Sequence, residues 1–308
     1  MSASPQSARL GTIVLALATV YLIWGSTYLA IRFGVEITPP YLFASTRFIA
    51  AGAILLLYAR LTGLQWPTTR GDWRVIVITS VLLLVGANGL VTWSEQWVAS
   101  NQAALMVATS ALWMAGFGTL GARGERLGWL TWAGLVIGFL GVAVLVGEGL
   151  LQKSAPVGAY VALVISPILW AAGSIYGRRN PLQCPPLMTA ALQMLVAGVL
   201  MGGIGLVGGE HERWRWTAQS WWAWAYLTLL GSCVAYGAYY WLVHNVTPAL
   251  LGTYAYVNPA IAVLLGAWLG AERLSGTQLI GTGVILGGVI AVTLGQRWPA
   301  RKPAAKSP

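Results

Sequence analysis

The chain states one pattern twice. Trp24, Pro39-Pro40 and Gly52 recur as Trp170, Pro185-Pro186 and Gly198, each 146 residues later. Glu125-Arg126-Leu127 recurs as Glu272-Arg273-Leu274, 147 residues later, and Gly134 and Gly141 are answered by Gly281 and Gly288. A slip of one residue over nearly the whole length is what two homologous halves with one small indel give. In an apolar chain, such symmetry is typical of transporters and predicts a binding site between the halves.

Only 8% of the 308 residues are charged and 57% are hydrophobic, whereas a soluble chain carries about 25% charge. Ten apolar stretches follow one another, near 10–31, 41–59, 75–93, 99–120, 127–147, 157–177, 187–207, 220–241, 249–269 and 274–294. Each is long enough to cross a hydrocarbon core about 30 Å thick. The expectation is an all-α polytopic membrane protein with ten transmembrane helices. Five spans per half is an odd number, so the second half starts from the opposite side of the membrane. The halves are therefore two inverted five-helix repeats, related by a pseudo-two-fold axis in the membrane plane. On this reading the first repeat occupies 1–147, a linker 148–156, the second repeat 157–296, and a disordered cytoplasmic tail 297–308.

A net charge of +10 suggests nucleic acid only where the charges form a patch. Here they sit in loops, which points to topology and not to a nucleic-acid partner. With the N-terminus inside, 12 of the 18 Lys and Arg fall on the cytoplasmic side and 5 outside, and Arg47 lies within a span. The positive-inside rule then places both termini in the cytoplasm. The first apolar stretch is too long for a signal peptide, has only Arg9 before it, and is followed by nine more spans. Cys184 in a loop and Cys233 in span eight form no disulfide or metal framework, and no cofactor is expected. Glu210-His211-Glu212-Arg213-Trp214-Arg215-Trp216 reads as a metal or acid–base cluster or, more simply, as a solvated loop dipping aromatics into the interface.

Of seventeen tryptophans, most flank span ends, where an amphipathic ring suits the headgroup layer. Trp24, Trp113 and Trp170 lie well inside spans, and the symmetry puts Trp24 and Trp170 on opposite sides of one central space. Residues four apart share a helix face. Trp24 with Tyr28, Trp170 with Ser174, Tyr236 with Tyr240, Tyr254 with Asn258 and Asn88 with Thr92 all fit that spacing. A polar amide in lipid is costly, so Asn88 and Asn258 should face a cavity or another helix. The candidate substrate-binding set is Trp24, Tyr28, Asn88, Trp113, Trp170, Ser174, Tyr236, Tyr240, Tyr254 and Asn258. Pro167 and Pro259 sit inside spans and read either as hinges or as tolerated bends.

Arg47 is the one full charge inside a span, and its repeat partner is Gln193. It reads as a counter-ion for a substrate carboxylate or as a structural charge bonded to neighbouring carbonyls. No Asp or Glu falls inside a span, which removes an obvious proton relay, and His244 reads as an interfacial donor. Facilitated movement by alternating access is the simplest mechanism. Gly134-x-x-x-Gly138 and Gly283-x-x-x-Gly287 permit close helix approach, either within the chain or between two copies, so the oligomeric state stays open.

Trp24-Gly25-Ser26-Thr27-Tyr28 with Arg32 after it resembles the first-helix motif of the drug/metabolite transporter superfamily. Pro259 followed by Glu272-Arg273-Leu274 and Gly281 is similar to the end-of-repeat pattern of its EamA-type domains, and Glu125-Arg126-Leu127 with Gly134 matches the earlier copy. The resemblance covers residues 10–295. It implies inner-membrane export of amino acids or related small metabolites through a central cavity lined by both halves. One departure is that Leu112 stands where the second half has Pro259, so the first half is expected to lack that kink. The main alternative is a drug or organic-cation efflux transporter, proton-coupled or not, which would more naturally carry an embedded carboxylate. An intramembrane enzyme needs a nucleophile with a base or a metal set, and only His211 and His244 are available. A channel needs a ring of pore residues, usually from several subunits. The partners expected are a small-molecule substrate, amino acids foremost, and membrane lipid.

Overall fold

A chain this apolar must satisfy its backbone within helices, and a computed structural model shows how it does so. The structure describes residues 10–120, 127–151, 155–246, 253–273 and 275–297. Among them there is helix and no strand. The first half consists of α1 (Leu10–Val35), α2 (Pro40–Leu61), α3 (Arg70–Ser94), α4 (Ser100–Val107 and Ser110–Gly118) and α5 (Trp129–Leu151). The second half consists of α6 (Val157–Arg179), α7 (Pro186–Val207), α8 (Ala218–Tyr226, Leu227–Ala235 and Tyr236–Asn245), α9 (Tyr254–Leu269) and α10 (Gly276–Arg297). Five of the helices (α1, α2, α3, α6 and α7) are by length and composition apolar enough to cross a membrane unaided. Large apolar side chains face outward around the bundle, among them Leu15 at 69% exposure, Val207 at 93% and Trp268 at 79%. A soluble domain does not expose such a belt, and a lipid-facing one does.

The repeated sequence features mark the places where the halves meet. Pro40 and Pro186 begin α2 and α7, where a fixed φ and a missing donor are harmless. These two helices then cross at their repeated glycines. A Cβ on Gly52 would lie 2.8 Å from Leu195 Cγ, and one on Gly198 would lie 2.9 Å from the Ile49 backbone nitrogen. α5 and α10 make the second such contact: a Cβ on Gly134 would lie 2.7 Å from the Gly288 carbonyl oxygen, and one on Gly288 would lie 2.5 Å from the Gly138 nitrogen. The close approach of the terminal helices is thus internal. It does not use Gly283 and Gly287, which face open space; Gly288 and Gly281 supply the α10 side.

Three sequence expectations change. Helix α5 runs on to Leu151 and takes Glu148 out of the linker; its carboxylate accepts a hydrogen bond from Ser275 Oγ. The first half does not lack a kink. Helix α4 breaks at Ala108-Thr109 without a proline, because Thr109 Oγ1 donates to the Met106 carbonyl at 2.6 Å and the backbone tightens to three-residue hydrogen bonds around it. Helix α9, by contrast, continues through Pro259 to Leu269. Glu210 is not a solvated loop residue: it is 5% exposed and accepts from the backbone N–H groups of Tyr41 and Leu42, at 3.3 and 2.8 Å, capping α2. Glu125, Arg126, Leu274 and the tail beyond Arg297 lie outside the described residues, as does the His244 side chain.

The halves also share a feature that apolar periodicity does not reveal. Within α3, Ser80–Asn88 winds as a π-helix, and within α8, Leu227–Ala235 does the same at a repeat offset of 147 residues. Such widened turns are rare and tend to occur at functional sites.

Candidate substrate cavity

Both π segments face a cavity of ≈ 800 Å³, including its open part, which takes lining residues from both halves. α5 and α10 contribute none of that lining; their glycine seam holds them against each other instead.

Seven of the candidate residues line this space: Trp24, Tyr28, Asn88, Trp170, Tyr236, Tyr254 and Asn258. The symmetry expectation for the tryptophans needs correction. Trp24 and Trp170 do not oppose each other across a gap. Their rings meet edge to face with centroids 5.7 Å apart, so the pseudo-symmetry brings them together on one wall. Tyr254 stands edge-on to Trp24 at 5.8 Å, and its hydroxyl accepts from Trp170 Nε1 at 3.1 Å. Trp24 Nε1 donates to the carbonyl of Gly231 at 3.3 Å, inside the α8 π segment. The indole donors are therefore occupied, and the Trp24 ring also meets those of Tyr236 and Tyr239.

Three candidates lie elsewhere. Trp113 packs edge-on against Phe139 at 4.8 Å and lines a smaller, separate pocket between α4, α5 and α6. Ser174 turns its hydroxyl back to the Trp170 carbonyl at 2.7 Å. Tyr240 joins the apolar cluster between α2 and α7. The ring that packs behind Trp24 is Tyr239, buried, 4.8 Å from Trp24 and not itself part of the lining. Its neighbours Tyr236 and Tyr240 have the conspicuous four-residue spacing, but only Tyr239 follows Tyr236 by a three-residue step onto the face toward α1.

The two prolines are buried and do not line the cavity, but the residues before them, Ser166 and Asn258, do. Ser166 Oγ donates to the Ala87 carbonyl at 3.0 Å, on the α3 π segment. Asn258 Oδ1 is buried without a hydrogen-bond donor.

Arg47 shares this mostly neutral lining; it is 3% exposed and, among the described residues, the only lining residue with a full charge. Its Nη2 donates to Asn88 Oδ1 at 2.7 Å, its Cζ sits 4.2 Å from the Phe48 ring centre, and its Nε has no acceptor. The structural reading of this arginine expected it to be bonded to carbonyls. Instead one side-chain amide holds it and part of its donor capacity is left over. Gln193, its repeat partner, has no such surplus: it donates to Thr79 Oγ1 at 2.6 Å and accepts from the Tyr236 hydroxyl at 2.8 Å.

A second charged residue was invisible to the span-by-span reading. Glu95 follows the last residue of α3, in the connection to α4. It is fully buried, and neither oxygen of its carboxyl group has a donor. Asn88, Val91 and Glu95 follow one another at helical spacing, and the first two line the cavity, so Glu95 continues the same stripe. Arg32, in the last turn of α1, donates to the backbone carbonyls of Glu95 and Val98 at 2.8 and 3.1 Å and ties this connection to the bundle. Glu272 braces it from the far half, accepting from the Ser100 and Asn101 N–H groups at 2.8 and 3.1 Å.

The EamA-like transporter family model matches the chain twice, over residues 11–147 and 157–294. An inner membrane transporter of Escherichia coli, YedA, is 42% identical over 289 residues, covering 94% of this chain and 92% of its own length. A Bacillus subtilis transporter, YoaV, is 21% identical over 284 residues, covering 91% of this chain and 96% of its own. A solved crystal structure, 24% identical, superposes with a TM-score of 0.68 over 93% of this chain and 99% of its own, and shares the fold. A twofold family match, ten helices in two inverted halves and a cavity lined by both agree: the chain belongs to the EamA-like transporter family.

Proposed function

We propose that this transporter exports amino acids or closely related small metabolites by alternating access, with the substrate held in the cavity between the two repeats. The observation that carries this reading is one arginine in the same cavity lining as a cluster of aromatic rings. Arg47, steadied by Asn88, suits the substrate carboxylate through a charge-assisted hydrogen bond. Trp24, Trp170 and Tyr254 suit the ammonium group and side chain, and a desolvated cation–π contact contributes about 2 kcal/mol or more. The rest of the lining is neutral and fits a range of side chains, which favours broad specificity. An exporter of organic cations would more naturally carry an acidic group in the lining, and the charge among the described lining residues is the Arg47 guanidinium.

On this reading the connections holding Glu95, Glu210 and Glu272 face outward and both termini face the cytoplasm, in keeping with the Lys/Arg distribution. Pro167 and Pro259 act as hinges beside the lining residues Ser166 and Asn258, and the Ala108-Thr109 break is their counterpart in the first half. Movement runs downhill for the substrate. The export direction follows the family resemblance.

The test is counterflow of labelled amino acids in proteoliposomes. Uptake competed by unlabelled amino acids is the expected result, and its loss in Trp24→Ala or Trp170→Ala with insertion and folding intact would assign the aromatic cluster. If no amino acid competes, the substrate class is wrong; if both variants transport normally, those rings are packing alone.

A further inference from the structure

Arg47 is half of a charge arrangement whose other half the transport reading leaves unused. Glu95 lies one helical turn beyond the cavity-lining Val91, completely enclosed, with two acceptor oxygens and no donor for either. The charged and titratable groups around it come from three elements. Tyr28 and Arg32 belong to α1, Arg47 to α2, and Glu272 to the connection between α9 and α10. Arg32 spends its hydrogen bonds on backbone carbonyls, and Arg47 points its Nη2 at Asn88. Among the described residues no ion pair neutralises Glu95.

A buried ionised carboxylate without donors is very costly, and such a group ordinarily becomes neutral by taking up a proton. Burial pushes the Glu95 carboxyl well above the usual carboxylate range, and the nearby Glu272 adds to the shift, while the charges of Arg32 and Arg47 and the Arg32 backbone oppose it without cancelling it.

We propose that Glu95 is a proton-binding site linked to substrate binding through Arg47. Protonated, Glu95 is neutral and leaves Arg47 to Asn88 and the substrate. Deprotonated, its charge has Arg47 as the cation nearest the cavity, and the attraction competes with the substrate for the guanidinium. The linkage is reciprocal. A substrate carboxylate on Arg47 removes the positive field that favours ionised Glu95, so substrate binding strengthens proton binding. A hard cation such as sodium is the rival occupant of two free oxygens, and two arginines within reach of the site disfavour it. The protonation of Glu95 stands apart from the function proposed above; its effect on transport rests on that reading, because it acts through Arg47.

Two measurements separate these claims. Infrared difference spectra of the purified protein, between mildly acidic and mildly alkaline buffer and without substrate, should show the C=O stretch of a protonated carboxyl group that titrates. That band should vanish in Glu95→Gln and shift in Glu95→Asp. A band unchanged in Glu95→Gln, no titrating band, or a band removed by sodium instead of alkali overturns the proposal. In proteoliposomes at equal pH on both sides, counterflow of labelled L-phenylalanine should weaken with rising pH. Its apparent affinity should fall with rising pH by at most about tenfold per unit and then level off, the total fall matching the factor by which bound substrate strengthens proton binding. Glu95→Gln should retain exchange and lose the slope, and Glu95→Asp should keep a slope. A Glu95→Gln profile parallel to the unmodified protein's overturns the linkage. If L-phenylalanine is not exchanged by the unmodified protein, the substrate reading fails, and the infrared result still decides Glu95.

Discussion

Helices α2 and α7 are repeat equivalents that pack on each other through the same glycine, and they carry different residues at one position. In α7, Gln193 is tied at both ends of its amide, to Thr79 and to Tyr236. In α2, Arg47 has one side-chain partner, Asn88, a buried Nε without an acceptor, and a place in the cavity lining. The first arrangement is closed and holds the wall of the cavity. The second is open and presents charge to whatever enters. A duplicated scaffold thus fixes where a polar residue sits, and its surroundings decide whether it stabilises or recognises.

The largest effect should come from Arg47. Arg47→Gln makes the two halves alike and removes a charge-assisted hydrogen bond of about 1.5–3 kcal/mol, equivalent to about 10–150-fold in apparent affinity. Counterflow titrations would read that loss while size-exclusion profiles stay unchanged. Gln193→Leu is the mirror experiment. It leaves the Tyr236 hydroxyl without its acceptor and should lower stability by about 1–3 kcal/mol, seen in thermal melts, with a smaller change in affinity than Arg47→Gln gives. If both variants behave alike, the contrast between the halves collapses.

Glu95 sharpens the contrast through pH. Its carboxyl pKa is raised in the folded protein, so the unfolded chain releases its proton first as pH rises. The folded state then holds more protons, and stability declines as pH climbs from the ordinary glutamate range toward the raised one. Glu95→Gln cannot ionise. It should therefore be more thermostable than the unmodified protein in alkaline buffer, with the difference shrinking as the buffer is made acidic. The smallest effect belongs to Trp113, which lines a separate pocket against Phe139. Trp113→Phe should leave apparent affinity within about twofold, less than a single truncated methylene or two would cost.

The repeat itself made most of the fold readable. It gave the ten helices, the inverted halves and the pairing of Trp24 with Trp170, because residues matched at a constant offset must occupy equivalent places in a duplicated bundle. Asn88, Tyr254 and Asn258 could be found for a simpler reason, since polar groups amid apolar spans need somewhere to face. Other features depend on contacts that no local pattern encodes. The π segments in α3 and α8 leave no periodic signature of their own. Glu95 looked like a loop residue because its burial comes from α1 on one side and from the Glu272 connection of the far half on the other. Tyr239 and not Tyr240 meets Trp24, although both follow Tyr236 within one turn, and only the docking of α8 against α1 distinguishes them. The break in α4 arises from a threonine hydroxyl competing for a backbone carbonyl, and a search for prolines does not detect it.

On the proposed function the cavity grips both charged ends of an amino acid, with Arg47 on the carboxylate. The most direct test is competition of labelled L-phenylalanine counterflow by unlabelled L-phenylalanine and by phenethylamine, which keeps the ring and the ammonium group but has no carboxylate. The amino acid should compete at least about tenfold better, the value of one charge-assisted hydrogen bond, and that preference should disappear in Arg47→Gln. Equal competition by the amine in the unmodified protein would contradict the claim and point to a carrier of organic cations.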